Sequence, residues 1–267
     1  MNGTAEAEGR IVAEREGPVA RLVIDNPTRR NAIDLAMWRQ ASDLLDEMAQ
    51  APEVRVLLVE GRGGKAFASG ADISKFERER GTAEAVAQYN QIAAGAYRRL
   101  KHFPKPTLAS IGGFCIGGGL ALALCCDIRI CEEGSRFAVP AAKLGLGYGI
   151  EGQRNLTEAV GPAVAADLLF SGRQVDAAEA LALGLVNRVV PAADRAAEAA
   201  AYAATIAANA PMTLALAKAC KLALTPAVDA EEEMRLQDMV RACYASEDYK
   251  EGRRAFLEKR APVFSGR

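Results

Sequence analysis

Histidine is almost absent from this chain: one residue, His102, in 267. That excludes a multi-histidine metal site and leaves little for a Ser-His-Asp relay. His102 stands at an expected helix end in Lys101-His102-Phe103-Pro104. A dipole contact or a surface role suits it there better than catalysis. The six cysteines include no C-x-x-C pair, so zinc and dithiol motifs have no footing. Most lie in apolar runs, as small buried hydrophobes do, and suit a reducing, cytoplasmic setting. No charge of one sign dominates: 33 basic side chains face 34 acidic ones, for a net charge of −1. Nucleic acid and anionic membranes are therefore not expected partners. No run reaches the roughly 18 uncharged apolar residues that span a bilayer. The first residues, MNGTAEAEGR, are polar and lack the apolar centre of a signal peptide.

What is present is ordinary globular material, half apolar and a quarter charged. Ile11 to Glu14 and Val19 to Ile24 suggest a hairpin around Glu16-Gly17-Pro18. Asp34 to Gln50 is amphipathic, and Ala83 to Leu100 reads as a second helix. Val54 to Glu60, Thr107 to Ile111 and Asp127 to Cys131 have strand character. Gly119 to Cys126 is a helix with almost no polar side, and such a helix is buried. The alternation implies an α/β core. After Pro191 strand signals stop, and alanine-rich helices follow with breaks near Pro211 and Pro226. Residues 1–200 are expected to form the core with the pocket. Residues 201–267 are expected to form a helical lid or trimerisation region.

Two loops carry the chemistry. Lys65-Ala66-Phe67-Ala68-Ser69-Gly70-Ala71-Asp72-Ile73 follows the strongest strand and opens a helix. Its small residues admit another molecule close to the backbone, and a helix start leaves N–H groups unpaired. Ile111-Gly112-Gly113-Phe114-Cys115-Ile116-Gly117-Gly118-Gly119-Leu120 places three glycines at the start of the buried helix. Bare N–H groups there stabilise developing negative charge. Taken singly, each loop is equally a tight turn.

Taken together, the loops resemble the crotonase superfamily, the enoyl-CoA hydratase/isomerase family. The resemblance runs through Asn26-Pro27-Thr28-Arg29-Arg30-Asn31-Ala32, AFASGADI, KPTLASIGGFCIGGGLALALCCDIRI, Phe137-Ala138-Val139-Pro140 and Leu144-Gly145-Leu146-Gly147. It continues in ALALGLV at 180–186 and in the closing SED, EG and AFLEKR segments. It implies a spiral of ββα units with a helical C-terminal region, and a homotrimer or a hexamer made as a dimer of trimers. It implies an acyl-coenzyme A substrate, with no permanently bound cofactor and no metal. It also implies an oxyanion hole from the N–H groups of Ala71 and Gly118. Arg30, Ala66, Ala68 and Lys259 are the implied coenzyme A contacts. Lys259 reads equally well as a solvated helix residue.

The departures from the family pattern are as informative. Family hydratases use two glutamates for acid–base addition of water. The corresponding positions here are Ala121, two residues past the glycine triplet, and Ala141, after the proline of FAVP. Each lost carboxylate removes about 10²–10⁴-fold of rate. Gly147-Tyr148-Gly149-Ile150-Glu151-Gly152 offers replacements. Glu151 is either a relocated base or a first-turn acid favoured by the helix dipole. Tyr148 is either a proton donor or a packing tyrosine; it aligns with a tyrosine of the methylmalonyl-CoA decarboxylase branch. That branch carries a histidine where this chain has Ala71. Decarboxylation of a malonyl-type thioester needs an enolate hole and a proton donor but no carboxylate pair. The expected function is an enoyl-CoA hydratase/isomerase-like reaction. The alternatives are decarboxylation through Tyr148 and acyl-CoA binding without catalysis. GYGIEG fits G-x-G-x-x-G only superficially, because no β-branched strand precedes it. Asp72 and Asp127 read as structural.

Overall fold

The computed structural model describes residues 8–223 and 230–263. The polar residues 1–7 and the break expected at Pro226 lie outside the described residues. Strands β1 (Arg10–Glu16) and β2 (Val19–Asp25) form the expected antiparallel hairpin, with Gly17 at φ +57° in its turn. Helix α1 (Leu35–Gln50) starts at Asp34, whose carboxylate accepts the Met37 N–H at 2.8 Å. Its buried face is Met37, Trp38, Ala41, Leu45 and Met48.

Three successive ββα turns follow. The first is β3 (Val56–Gly61), β4 (Ala66–Ala68), the short α2 (Phe76–Arg80) and α3 (Ala83–Lys101). The second is β5 (Thr107–Ile111), β6 (Phe114–Ile116) and α4 (Gly118–Cys125). The third is β7 (Ile128–Glu132), β8 (Arg136–Ala138) and α5 (Ile150–Val160). Each turn sends one strand to each of two sheets. β1-β2-β3-β5-β7-β10 form one sheet and β4-β6-β8-β9 the other. Here β9 is Val175–Asp176, preceded by α6 (Pro162–Ser171), and β10 is Arg188–Val190, preceded by α7 (Ala177–Ala182). The expected crotonase-type spiral is thus present.

Two loop assignments change. Ala66–Ala68 and Phe114–Ile116 are strands that pair in parallel, within segments that read as glycine-rich loops. Three residues are too few for any period to register.

The central strands are apolar on both faces. Val56 and Leu58 of β3 meet Ala199, Ala203 and Ala207 of α8 (Arg195–Ala207), while Leu57 and Val59 face the main core. Helix α8 therefore covers one sheet face, and residue 200 falls inside it. Helix α4 is buried along all but its first residue, with Leu120, Leu122, Ala123 and Leu124 enclosed. Helices α9 (Pro211–Ala223), α10 (Ala230–Ala245) and α11 (Glu247–Leu257) complete the chain.

Helix α9 is anchored by charge. Lys218 and Lys221 each reach Asp127 at 2.9 Å, and Lys218 also donates to the Lys105 carbonyl at 2.9 Å. Asp127 further accepts the Thr107 N–H and hydroxyl. Burial opposes the charge on Asp127, but the two ammonium groups outweigh it and hold the carboxyl below its ordinary value. Burial pulls the Lys218 ammonium down as well, despite the carboxylate beside it. Among the described residues, no single helix is long and apolar enough to cross a membrane.

Candidate active site

A cavity of about 520 Å³ opens where the two chemical loops meet. Gly70, Ala71, Gly117 and Gly118 line it, as do Ala121, Ala141, Tyr148 and Glu151. Contacts between main chains bring the loops together. A Cβ on Gly119 would stand 2.2 Å from the Ala68 carbonyl oxygen, so α4 seats on β4 only because that residue is glycine. Gly70 and Gly117 have φ of +100° and +53°, where side chains strain the backbone.

The Ala71 backbone is fixed by the Asn26–Ile33 segment. The Ile33 N–H donates to the Gly70 carbonyl at 2.8 Å, and Asp72 N–H returns to the Ile33 carbonyl at 3.1 Å. These two bonds flank Ala71 and leave its own N–H on the opposite side. Asn31, fully buried at φ +55°, ties the segment down. Its amide donates to the Arg62 and Ala66 carbonyls at 2.9 and 2.7 Å and accepts the Asn26 N–H at 2.9 Å. Asp72 caps the next turn by accepting the Ser74 N–H, the structural role the sequence suggested.

Gly118 is the first residue of α4, where an N–H has no partner within the helix. Among the described residues, no acceptor takes the N–H of Gly118 or that of Ala71. Two phenols hold the adjoining carbonyls. Tyr97 donates to Gly118 O at 3.1 Å and Tyr148 to Gly117 O at 3.3 Å. Burial pushes the Tyr148 phenol well above its ordinary value, and the Cys125 and Cys115 thiols push the same way. Burial does the same to Tyr97. Both phenols therefore keep their protons near neutral pH.

Ala121 and Ala141, the positions at which the resemblance implies carboxylates, both line the cavity. Among the described residues, Glu151 is the one carboxylate on the wall. It sits in the first turn of α5, a quarter exposed, with Arg154 Nη1 3.5 Å from its Oε2. Cys125 is the buried last residue of α4, its thiol pushed up by burial and donating to the Ala121 carbonyl. It is no nucleophile in that state.

The structure does not bring every expected contact residue to the cavity. Ala66 and Ala68 are buried in β4, Arg30 lies over the Phe114 ring at 5.4 Å, and Lys259 is exposed beyond α11; none lines the wall. Tyr97, Tyr244 and Arg80 are among the lining residues that went unnoticed in the sequence. Tyr97 had a signal, since it falls eight residues after Tyr89 on the buried face of α3. Tyr244 and Arg80 had none.

The sequence profile described as enoyl-CoA hydratase/isomerase matches residues 14–267. A Thermus thermophilus protein assigned as an enoyl-CoA hydratase is 39% identical, over 95% of this chain and 100% of that one. The short-chain-enoyl-CoA hydratase of Clostridium acetobutylicum is 33% identical, over 94% of this chain and 95% of its own. Among solved structures, a methylmalonyl-CoA decarboxylase holding 2-nitronate-propionyl-CoA superposes with a TM-score of 0.86 at 29% identity. That match covers 98% of this chain and 100% of the other.

Proposed function

The chain belongs to the enoyl-CoA hydratase/isomerase family, and on that premise we propose that it converts acyl-coenzyme A thioesters through an enolate. The carrying observation is the pair of unaccepted N–H groups, Ala71 and Gly118, of two residues that both line the cavity. A thioester oxygen seated between them gains two donors as it becomes an enolate oxygen. Each such donor contributes about 3–4 kcal/mol to the transition state. Both donors are main-chain groups on fixed elements, so little reorganisation accompanies the charge.

The proton chemistry falls to Glu151 and Tyr148. In an enoyl hydration, Glu151 takes a proton from water as the hydroxyl bonds to C3 and the C2–C3 electrons move onto the thioester oxygen. The proton then returns to C2. In an isomerisation, the same carboxylate takes a proton from C2 and delivers it to C4. No permanent cofactor enters either course, and coenzyme A arrives as part of the substrate. Arg30, Ala66, Ala68 and Lys259 are proposed to contact coenzyme A outside the cavity. Exposed Met212 and Leu216 on α9 and Phe170 on α6 support assembly into trimers or hexamers.

A second reading is favoured by one feature: alanine replaces both carboxylates while the protonated Tyr148 stands beside Gly117. Loss of CO₂ from a malonyl-type thioester leaves its electron pair on the enolate, and Tyr148 protonates C2. The test is turnover of crotonyl-CoA and methylmalonyl-CoA side by side, for the wild type and Glu151→Ala. Crotonyl hydration abolished by Glu151→Ala supports the first reading. CO₂ release that survives it supports the second. Coenzyme A thioesters bound but never turned over would leave a binding protein.

A further inference from the structure

We propose that Arg80 makes this cavity selective for acyl groups that carry a carboxylate at their far end. The inference rests on the acyl-CoA reading of the cavity. Arg80 ends α2, lines the cavity and is only 7% exposed. Among the described residues, no carboxylate pairs with it. Of its five N–H groups, one makes a long bond, from Nη1 to the Tyr244 hydroxyl at 3.4 Å. The buried Nε has no partner, and no bond from Nη2 exists among the described residues. An arginine so buried is normally paired, because an uncompensated charge away from water is costly.

Aromatic rings supply part of the compensation. The guanidinium carbon lies 3.7 Å from the Tyr89 ring centroid and 4.5 Å from that of Phe76. Ring faces balance the charge, yet they do not accept the N–H groups, which lie in the guanidinium plane. What that edge lacks is a planar acceptor with two oxygens, which a carboxylate provides. Among the described lining residues the one carboxylate, Glu151, is engaged by Arg154 at 3.5 Å, and Arg241 pairs with Asp238, so neither carboxylate compensates Arg80.

The location suits the far end of an acyl chain. Arg80 stacks on Tyr89; Tyr89 accepts the Trp38 indole N–H at 2.8 Å; Trp38 meets Tyr97 edge-on at 4.9 Å; Tyr97 donates to Gly118 O. Three aromatic side chains therefore separate the guanidinium from the proposed enolate hole. A carboxylate held by Arg80 is stabilised as an anion, so it is a recognition group rather than the one lost in a decarboxylation.

The experiment is calorimetric titration of the full chain with butyryl-CoA, glutaryl-CoA and the glutaryl-CoA monomethyl ester. The wild type is expected to bind the acid about ten- to a hundredfold more tightly than the ester, the range of a charge-assisted bond. Arg80→Gln should bring that ratio to about one, and Arg80→Lys should restore part of it. The ratio is the readout, so a general loosening of the site does not imitate the loss. If Arg80→Gln does not fold, the wild-type ratio and its decline with salt still decide. Butyryl-CoA binding with no preference for acid over ester overturns the Arg80 assignment and leaves the acyl-CoA reading standing. Failure of all three thioesters to bind overturns both.

Discussion

Gly119→Ala tests the site at its most crowded point. The added Cβ would lie 2.2 Å from the Ala68 carbonyl oxygen, 2.7 Å from the Ala68 Cβ and 2.8 Å from the carbonyl carbon. A carbon–oxygen contact relaxes at about 3.3 Å, so α4 and β4 must part by about 1 Å. Two of these atoms are backbone, and no side-chain rotation relieves them. Overpacking of this kind costs about 1–3 kcal/mol, which for a chain of this size lowers Tm by about 3–10 °C. The functional effect should be larger. β4 leads to Ala71 and α4 begins at Gly118, so the separation falls on the spacing of the two donors. A 1 Å misplacement is worth about 100-fold in turnover. The assays are thermal unfolding and turnover of whichever thioester the wild type converts. Gly134→Ala is the control, since its nearest neighbour is 4.0 Å away; it should stay within about 0.5 kcal/mol. Unchanged Tm and turnover in Gly119→Ala would refute the packing argument. A lowered Tm with full turnover would refute the two-donor hole.

Three further outcomes are expected. Tyr148→Phe should cut turnover by about 100-fold if the phenol delivers a proton, with a stability loss of about 1 kcal/mol; undiminished turnover would remove Tyr148 from the chemistry. Asn31→Ala strands two buried backbone groups, the Asn26 N–H and the Ala66 carbonyl, and should destabilise the fold by about 2 kcal/mol or more in urea unfolding; a near-neutral result would show that they find other partners. The anchor at Asp127 should depend on pH. Its folded carboxyl titrates below the unfolded value of about 3.9, so its contribution is full above that value and fades as pH falls through the folded one. Wild type should therefore exceed Asp127→Asn in stability at pH 7 and lose that advantage in acid; a gap that ignores pH would count against the ion pairs.

Much of this arrangement was legible in the sequence, for identifiable reasons. The long elements declared themselves by period and caps: Asp34 starts α1, and the uniformly apolar α4 could only be buried. The loops around Ala71 and Gly118 were legible because close backbone contact demands small residues. The short strands β4 and β6 were not, because pairing with distant chain makes them. Arg80 was invisible for a different reason. In Phe76-Glu77-Arg78-Glu79-Arg80 it reads as one of several solvated charges. Only folding shows that Glu77 turns to Arg253, while Arg80 turns inward onto Tyr89 with no carboxylate partner among the described residues.

The two N–H groups proposed as donors, Ala71 and Gly118, belong to the peptide backbone, while Ala121 and Ala141 offer side-chain positions beside them. Ala121 stands on a helix enclosed by leucines, and Ala141 follows a proline in a short helical turn. A side chain exchanged at either position alters the chemistry offered to the cavity while the backbone of the proposed donors stays tied to the same two elements. On the proposed reading, such a scaffold separates what is constant in the reaction from what can be varied.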